Sequence, residues 1–310
     1  MQETREEVLS ALDSGPISGP ELAERLGISR AAVWKHVEAL REEGFAIRSS
    51  NGGYTLESIP EFGASAIEFG LSAPFDVEFH DSIASTNERA RELAGQGESN
   101  VAVLADEQTG GRGRLDRAWS SPSGGVWLSM LCRPDVPPAE VPGFTLAAAV
   151  ATARAARAAG AEATIKWPND VQIDGAKLAG ILTEMEGEAD RVSWIVVGIG
   201  VNANVDSAAL PTDRPATSLR ESVGDVDRRT FTQDVIEEFW ELTQGDQAAI
   251  LDGWRELNAT LGQRVRVTTP TQEIVGEAVD IEPPGTLLVD TDSGRVEVSA
   301  GDCEHLRPAE

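Results

Sequence analysis

Lysine is almost absent from this chain: Lys35, Lys166 and Lys177 are the three in 310 residues, and arginine carries the remaining basic charge. Histidine is as scarce, and His36, His80 and His305 fall in three different predicted regions, which leaves no basis for a Ser-His-Asp triad. The two cysteines, Cys132 and Cys303, make neither a disulfide framework nor a metal cluster and are expected to be free and buried. No apolar run approaches the roughly 18 residues of a membrane span. The opening Gln2-Glu3-Thr4-Arg5-Glu6-Glu7 is charged where a signal peptide needs an apolar core, so a soluble, cytoplasmic protein is expected.

Positive charge as a whole is in deficit, with 52 acidic residues against 26 basic and a net charge of −26. Such a surface repels nucleic acid and anionic lipid at ordinary ionic strength. It suits work in concentrated salt, where the Debye length shrinks to about 3 Å at 1 M. The same scarcity makes each surviving lysine a candidate for a chemical role.

The length allows two or three domains. Residues 1–60 read as a winged helix-turn-helix: helix Thr4–Ser14, a short helix opened by Ser18 and Glu21, a third helix from Arg30 to Glu43 capped by Ser29, then a hairpin over Phe45–Leu56. In that motif the third helix enters the major groove, and Ser29, Arg30, Trp34, Lys35 and His36 lie on or near its exposed face. Their clustering favours DNA binding, while ten acidic against six basic residues in this segment would also suit a protein-binding winged helix.

From Val77 the pattern alternates strands and helices. The expected strands are Val77–His80, Asn100–Glu107, Val126–Leu131, Val171–Ile173, Lys177–Glu186 and Val192–Gly200, with an alanine-rich helix over Gly143–Gly160 and a hairpin turn at Asp174-Gly175. Ser82 to Asn87 reads as a polar turn, residues 203–230 as a long loop, and Thr230 as the cap of helix Phe231–Thr243. This is an α+β domain on a mixed or mostly antiparallel sheet. Short strands between Gly262 and Arg307 read as a small SH3-type barrel. The domain limits are set at 1–60, 61–258 and 259–310.

One loop stands out. Gln108 is followed by Gly110, Gly111 and Gly113 around Arg112 and Arg114, a mobile backbone carrying two guanidinium forks suited to carboxylate or phosphate. No Gly-Lys-[Ser/Thr] follows, so it is not a Walker loop. Gly198-Ile-Gly-Val-Asn-Ala203 matches a dinucleotide fingerprint in letters only, since no helix follows. It is better read as a strand end that turns Asn202 towards a ligand such as an adenine edge. A lysine leading Lys177-Leu-Ala-Gly-Ile-Leu182 would be directed by a buried strand, with Gly180 leaving room for a ligand. The available vocabulary of Arg, Lys, Gln, Asn and Asp suits transfer at phosphorus, where positioning and charge stabilisation dominate.

Gly111-Arg-Gly-Arg114, Lys166-Trp-Pro-Asn-Asp170, Lys177-Leu-Ala-Gly-Ile181 and Gly198-Ile-Gly-Val-Asn202 occur in the order and at roughly the spacing seen in biotin protein ligases. Ser29-Arg-Ala-Ala-Val-Trp-Lys-His36 resembles the form that is also the biotin operon repressor. The resemblance covers essentially the whole chain. It implies a class II synthetase-like ligase domain that makes biotinyl-5′-AMP from biotin and Mg-ATP, then biotinylates a lysine of a biotin carboxyl carrier domain. Operator DNA and an adenylate-bound homodimer are the further partners it implies. No membrane and no protein-held metal are expected. By the resemblance, Ser85-Thr86-Asn87 and Gln108 hold the ureido ring, and Gly111, Arg112, Gly113 and Arg114 cover carboxylate and phosphate. Lys177 contacts the adenylate, Trp119 stacks on adenine, and Asn202 is its polar partner. Arg114 and Lys177 are the expected catalytic pair, and Ser29, Arg30, Lys35 and His36 the expected DNA contacts. The family loop commonly continues Arg-Gly, whereas here Leu115-Asp116 follows, which should make it less mobile. A lipoate ligase and a ligand-responsive repressor without ligase activity are the rival classes.

Overall fold

The computed structural model describes residues 3–50, 52–210 and 215–306. The amino-terminal body contains α1 (Glu3–Asp13), α2 (Gly19–Leu26) and α3 (Arg30–Glu42), followed by the wing strands β1 (Ala46–Ser50) and β2 (Gly53–Ser58). Local chemistry sets these limits. Ser18 accepts the Glu21 amide and Ser29 the Ala32 amide, while Gly27 closes α2 in the left-handed region at φ 64°. Val8, Leu12, Val33, Val37 and Leu40 pack into one core with Phe45 and Ile47. Arg41 uses its fork to hold the wing, donating to the Ile47 carbonyl and to Ser49.

A short helix, α4 (Ala64–Glu68), follows. The central body then comprises β3 (Asp76–Ile83), α5 (Thr86–Gly95), β4 (Val101–Gln108), β5 (Val126–Cys132), α6 (Val141–Ala158), β6 (Ala163–Lys166), β7 (Asp170–Ile173), β8 (Ala176–Gly187) and β9 (Val192–Val201). Its seven described strands run in the order β3-β4-β5-β9-β8-β7-β6. The β3–β4 pair is parallel and every other neighbouring pair antiparallel. Asp174 (φ 51°) and Gly175 (φ 78°) form the tight turn between β7 and β8. Ala147, Ala148, Ala149 and Ala151 of α6 are fully buried, which lets the helix backbone lie close to the sheet.

Three expectations change. The polar turn at Ser82–Asn87 is shared between the end of β3 and the first turn of α5, because Ser85 caps that helix through the Glu88 amide. The 203–230 loop contains a helix, α7 (Leu219–Val223), capped by Ser218. The next helix, α8 (Arg228–Gln244), is capped by Asp227 rather than Thr230, since the Asp227 carboxylate accepts the Thr230 amide. Asp246 then caps α9 (Gln247–Leu257). Pro211, which was assigned to the loop, lies outside the described residues.

The last body holds β10 (Arg264–Thr268), β11 (Glu273–Glu282), β12 (Thr286–Thr291), β13 (Gly294–Val298) and β14 (Asp302–His305) as an antiparallel sheet in the order β13-β12-β11-β10-β14. Its core is continuous with that of the central body. Trp167 crosses between them, donating its indole N–H to the Gly285 carbonyl at 3.0 Å. The winged helix has its own core and meets the rest through Phe69 and through Glu43, which accepts from Ser65. Both cysteines are free and buried, as expected; burial pushes the thiols up, Cys132 to about 12 and Cys303 to about 11. Among the described residues no helix is long and apolar enough to cross a membrane.

Candidate active site

A cavity of about 1060 Å³ opens at the junction of the central and carboxy-terminal bodies, large enough for a ligand of two joined parts. Its mouth is crossed by the glycine–arginine loop. The segment is a paired, irregular hairpin. Gln108 N donates to the Ser121 carbonyl, Trp119 N to Gly111, and Gly113 N to Arg117. Its root is pinned to the strand before α5 by Thr109 N on the Ile83 carbonyl and Gly110 N on Ala84. Gly110 and Gly111 serve close approach rather than positive φ. A β-carbon on Gly111 would come within 2.6 Å of the Trp119 carbonyl and 2.7 Å of Ser121 Oγ. The residue in the left-handed region is Leu115 (φ 56°, ψ 35°), a conformation costing a non-glycine residue about 1 kcal/mol, and its side chain is exposed. The side chain of Asp116 lies outside the described residues.

At one end of the cavity the β4 terminus faces the α5 N-terminus. Ser85, Thr86 and Asn87 are all buried there. Gln108 Oε1 accepts the Thr86 amide at 2.9 Å and the Thr86 hydroxyl at 3.0 Å, and Gln108 Nε2 donates to Ser121 Oγ at 2.9 Å. Ser129, on the inner strand β5, lies 2.7 Å from Thr86 Oγ1 and 2.6 Å from Asn87 Oδ1.

The other end is cationic. Lys177 Nζ lies 2.7 Å from Asp170 Oδ1 and 5.0 Å from the centre of the Trp119 ring. That ring rests on glycine: Gly180 and Gly200 face each other across β8 and β9. A β-carbon on Gly200 would stand 2.7 Å from Trp119 Nε1, and one on Gly180 would stand 3.4 Å from Trp119 Cζ3 and 3.2 Å from Lys177 Nζ. Trp119 Nε1 is buried without a hydrogen-bond partner among the described residues.

The loop arginines hold protein partners. Arg112 pairs with Glu88. Arg114 donates to Asn169 Oδ1 at 3.0 Å and to the Gly301 carbonyl at 2.8 Å, while Arg117 pairs with Asp302 at 2.5 Å. Burial opposes ionisation of Asp302, but Arg117, with Arg114 and Lys166 nearby, outweighs it and holds the carboxyl below its usual range. Burial, then Lys166, lowers His305, whose Nε2 lies 3.2 Å from Thr260 Oγ1.

Ser85, Thr86, Asn87, Gln108, Arg112, Gly113, Arg114, Trp119, Lys177 and Gly180 all line this cavity. Gly111 lies behind the wall as a backbone crossing point. Asn202 is not among the lining residues. It is buried, with its side-chain amide donating to the Thr217 carbonyl at 3.0 Å and its backbone amide to the Leu178 carbonyl. Ser29, Arg30, Lys35 and His36 sit apart on α3, with Trp34 56% exposed beside them. Several lining residues had been given no role: Lys166, Asn169, Asp170, Gln172 and the β14 wall of Asp302, Cys303 and His305. Lysine scarcity already pointed to Lys166. Nothing local in the sequence points to β14.

Residues 79–202 match the biotin/lipoate A/B protein ligase family, residues 4–55 an HTH domain family, and residues 260–306 the biotin protein ligase C-terminal domain. The chain is 38% identical to the bifunctional ligase/repressor BirA of Bacillus subtilis, over 96% of each chain. The chain belongs to the biotin protein ligase family. The BirA of Escherichia coli is 34% identical over 94% of each chain. A biotin protein ligase of Aquifex aeolicus, solved in complex with biotin and ATP, superposes with a TM-score of 0.64 at 28% identity, covering 75% of this chain and 99% of that one. The protein is therefore a biotin protein ligase with a helix-turn-helix domain of the repressor type.

Proposed function

We propose that one cavity makes biotinyl-5′-AMP from biotin and ATP and then passes biotin to a lysine of a biotin carrier domain, as in acetyl-CoA carboxylase. The observation that carries this reading is the meeting of two unlike ends in a single cavity. Neutral hydrogen-bonding groups of Thr86, Asn87 and Gln108 suit a cyclic urea, and Arg112, Arg114 and Lys177 suit carboxylate and phosphate.

In the first step a biotin carboxylate oxygen bonds to the α-phosphorus as the bond to pyrophosphate breaks. Arg114 and Lys177 offset the negative charge there. In the second step the carrier amine attacks the acyl carbon and AMP leaves. The hairpin at 108–121 would shield the mixed anhydride from water. Trp119, resting on Gly180 and Gly200, offers a face for adenine. Among the described residues no three His, Cys, Asp or Glu converge, so Mg2+ fits as an ion brought by the nucleotide phosphates, with Asp170 a carboxylate in reach of the cavity. When bound, Mg2+ supplies further neutralisation of phosphate charge.

The division at 1–60, 61–258 and 259–310 gives each activity a body. The exposed Arg30 and Lys35, with Ser29 and His36, would meet operator DNA, and repression would follow adenylate-driven dimerisation. The net charge of −26 fits a cytoplasmic protein working in concentrated salt. Incubation with ATP, radiolabelled biotin and a carrier domain tests the central reading. Label on the carrier lysine is expected; label on added lipoyl domain from lipoate instead would replace it.

A further inference from the structure

We infer that Glu184 is a positioning residue that sets the hydrogen-bonding polarity of the ring end of the cavity through Asn87. This rests on the reading of that end as the biotin ring site. Glu184 projects from β8 and has no ligand role in that reading. Its Oε2 accepts from Asn87 Nδ2 at 2.8 Å, and its Oε1 is held by Arg91 Nη1 at 3.2 Å. A second acceptor, the Leu182 carbonyl, lies 3.3 Å from the same Asn87 nitrogen.

An asparagine amide can be presented either way round, and its neighbours decide which. A carboxylate and a carbonyl can only accept, so together they occupy both N–H groups of Asn87. That turns Oδ1 towards Ser129, whose one hydroxyl proton is shared between Asn87 Oδ1 at 2.6 Å and Thr86 Oγ1 at 2.7 Å. One lone pair of Oδ1 then remains for the cavity. Thr86 accepts from Ser129 and gives its own hydroxyl proton to Gln108 Oε1, which leaves one lone pair of its oxygen as an acceptor. Gln108 Nε2 uses one N–H on Ser121 and keeps the other. The ring end thus presents two acceptors, Asn87 and Thr86, and one donor, Gln108. This arrangement complements two ring N–H groups flanking a carbonyl. Gly198 makes it sterically permissible, since a β-carbon there would fall 2.1 Å from Asn87 Oδ1.

Without Glu184 the Leu182 carbonyl alone holds the amide at long range, and the flipped amide would place N–H against ligand N–H. Glu184→Ala is therefore expected to raise the biotin KM about tenfold, the scale of one hydrogen bond lost between fixed partners. The ATP KM should stay within twofold. The sharper readout is discrimination, measured as the ratio of Kd for biotin and for an analogue N-methylated at one ring nitrogen. The variant should lose most of the wild-type preference, and Glu184→Gln, which keeps an acceptor, should restore it. Ser129→Ala removes one hydroxyl at the other anchor of Asn87 and should reproduce the loss, which covers misfolding of the Glu184 variant. Unchanged discrimination in Glu184→Ala, or a Gln variant as poor as the Ala variant, overturns the inference. Failure of the wild-type protein to bind biotin at all would instead overturn the functional reading.

Discussion

The catalytic cavity and the recognition helix carry their cations in opposite states. In the cavity Arg112, Arg114, Arg117 and Lys177 each hold a protein partner: Glu88, Asn169 with Gly301, Asp302 and Asp170. On α3, Arg30 and Lys35 are exposed and have no ion-pair partner among the described residues. The cavity cations are held at fixed points before a ligand arrives, which suits chemistry that depends on position. Those of the helix are solvated and free to adapt, and their attraction for phosphate is open to screening. Lys166 is the exception in the cavity, lining it with no ion-pair partner among the described residues.

The comparison breaks most visibly at the fixed cations. Lys177→Ala should lower pyrophosphate release at least ~10²-fold, the usual scale for one preorganised charge. Arg114→Ala should let the adenylate escape and label nearby lysines without selectivity. Retention of both tight adenylate binding and carrier selectivity would remove Arg114 from its assigned place. Next in size is the floor under Trp119. Gly200→Ala puts a methyl 2.7 Å from Trp119 Nε1 and must move the ring, so the ATP KM should rise about tenfold with a change in tryptophan emission. An unaltered ATP KM would show that the ring is not the nucleotide platform.

Much of this was legible beforehand. The three bodies, the free buried cysteines and the Asp174-Gly175 turn follow from capping residues, periodicity and turn chemistry, all of which act within a few residues. The hairpin character of the 108–121 segment was not legible, because its pairing runs between backbone atoms and leaves no side-chain pattern. The Thr217 partner of Asn202 was not legible for a related reason: a strand end states where the chain turns, not which way its next side chain faces.

The solvated cations give a smaller effect of different kind. Lys35→Ala should weaken operator binding across sequences and reduce the slope of log K against log salt by about 1, as read by fluorescence anisotropy. A loss confined to one base position would reassign Lys35 to base reading. The smallest effect concerns the tie between loop and β14. The folded-state pKa of Asp302 is lowered, so its stabilising contribution is present above the ordinary aspartate value of about 4 and is lost as pH falls through the lower folded value. Melting temperatures of the wild type and Arg117→Ala should therefore differ near neutrality and converge in acid. A gap that persists at the lowest pH would mean that Arg117 stabilises the fold by something other than this pair.

By itself the sequence determined the winged helix, the mixed sheet and the acidic charge, because each is written in neighbouring positions, while the residues for the two ends of the cavity came from the family resemblance. On composition the loop of Gly110–Arg114 suited a ligand lid and a solvated surface loop equally, and the strand beginning at Lys177 was marked by the scarcity of lysine. Tertiary structure decided what those residues do. It brought Asp302 and Gly301, nearly two hundred positions along the chain, onto Arg117 and Arg114. It also set Glu184 behind Asn87. Each of these contacts is a meeting of polar groups across strands or bodies, and it depends on how the sheet twists and packs rather than on any spacing in the chain.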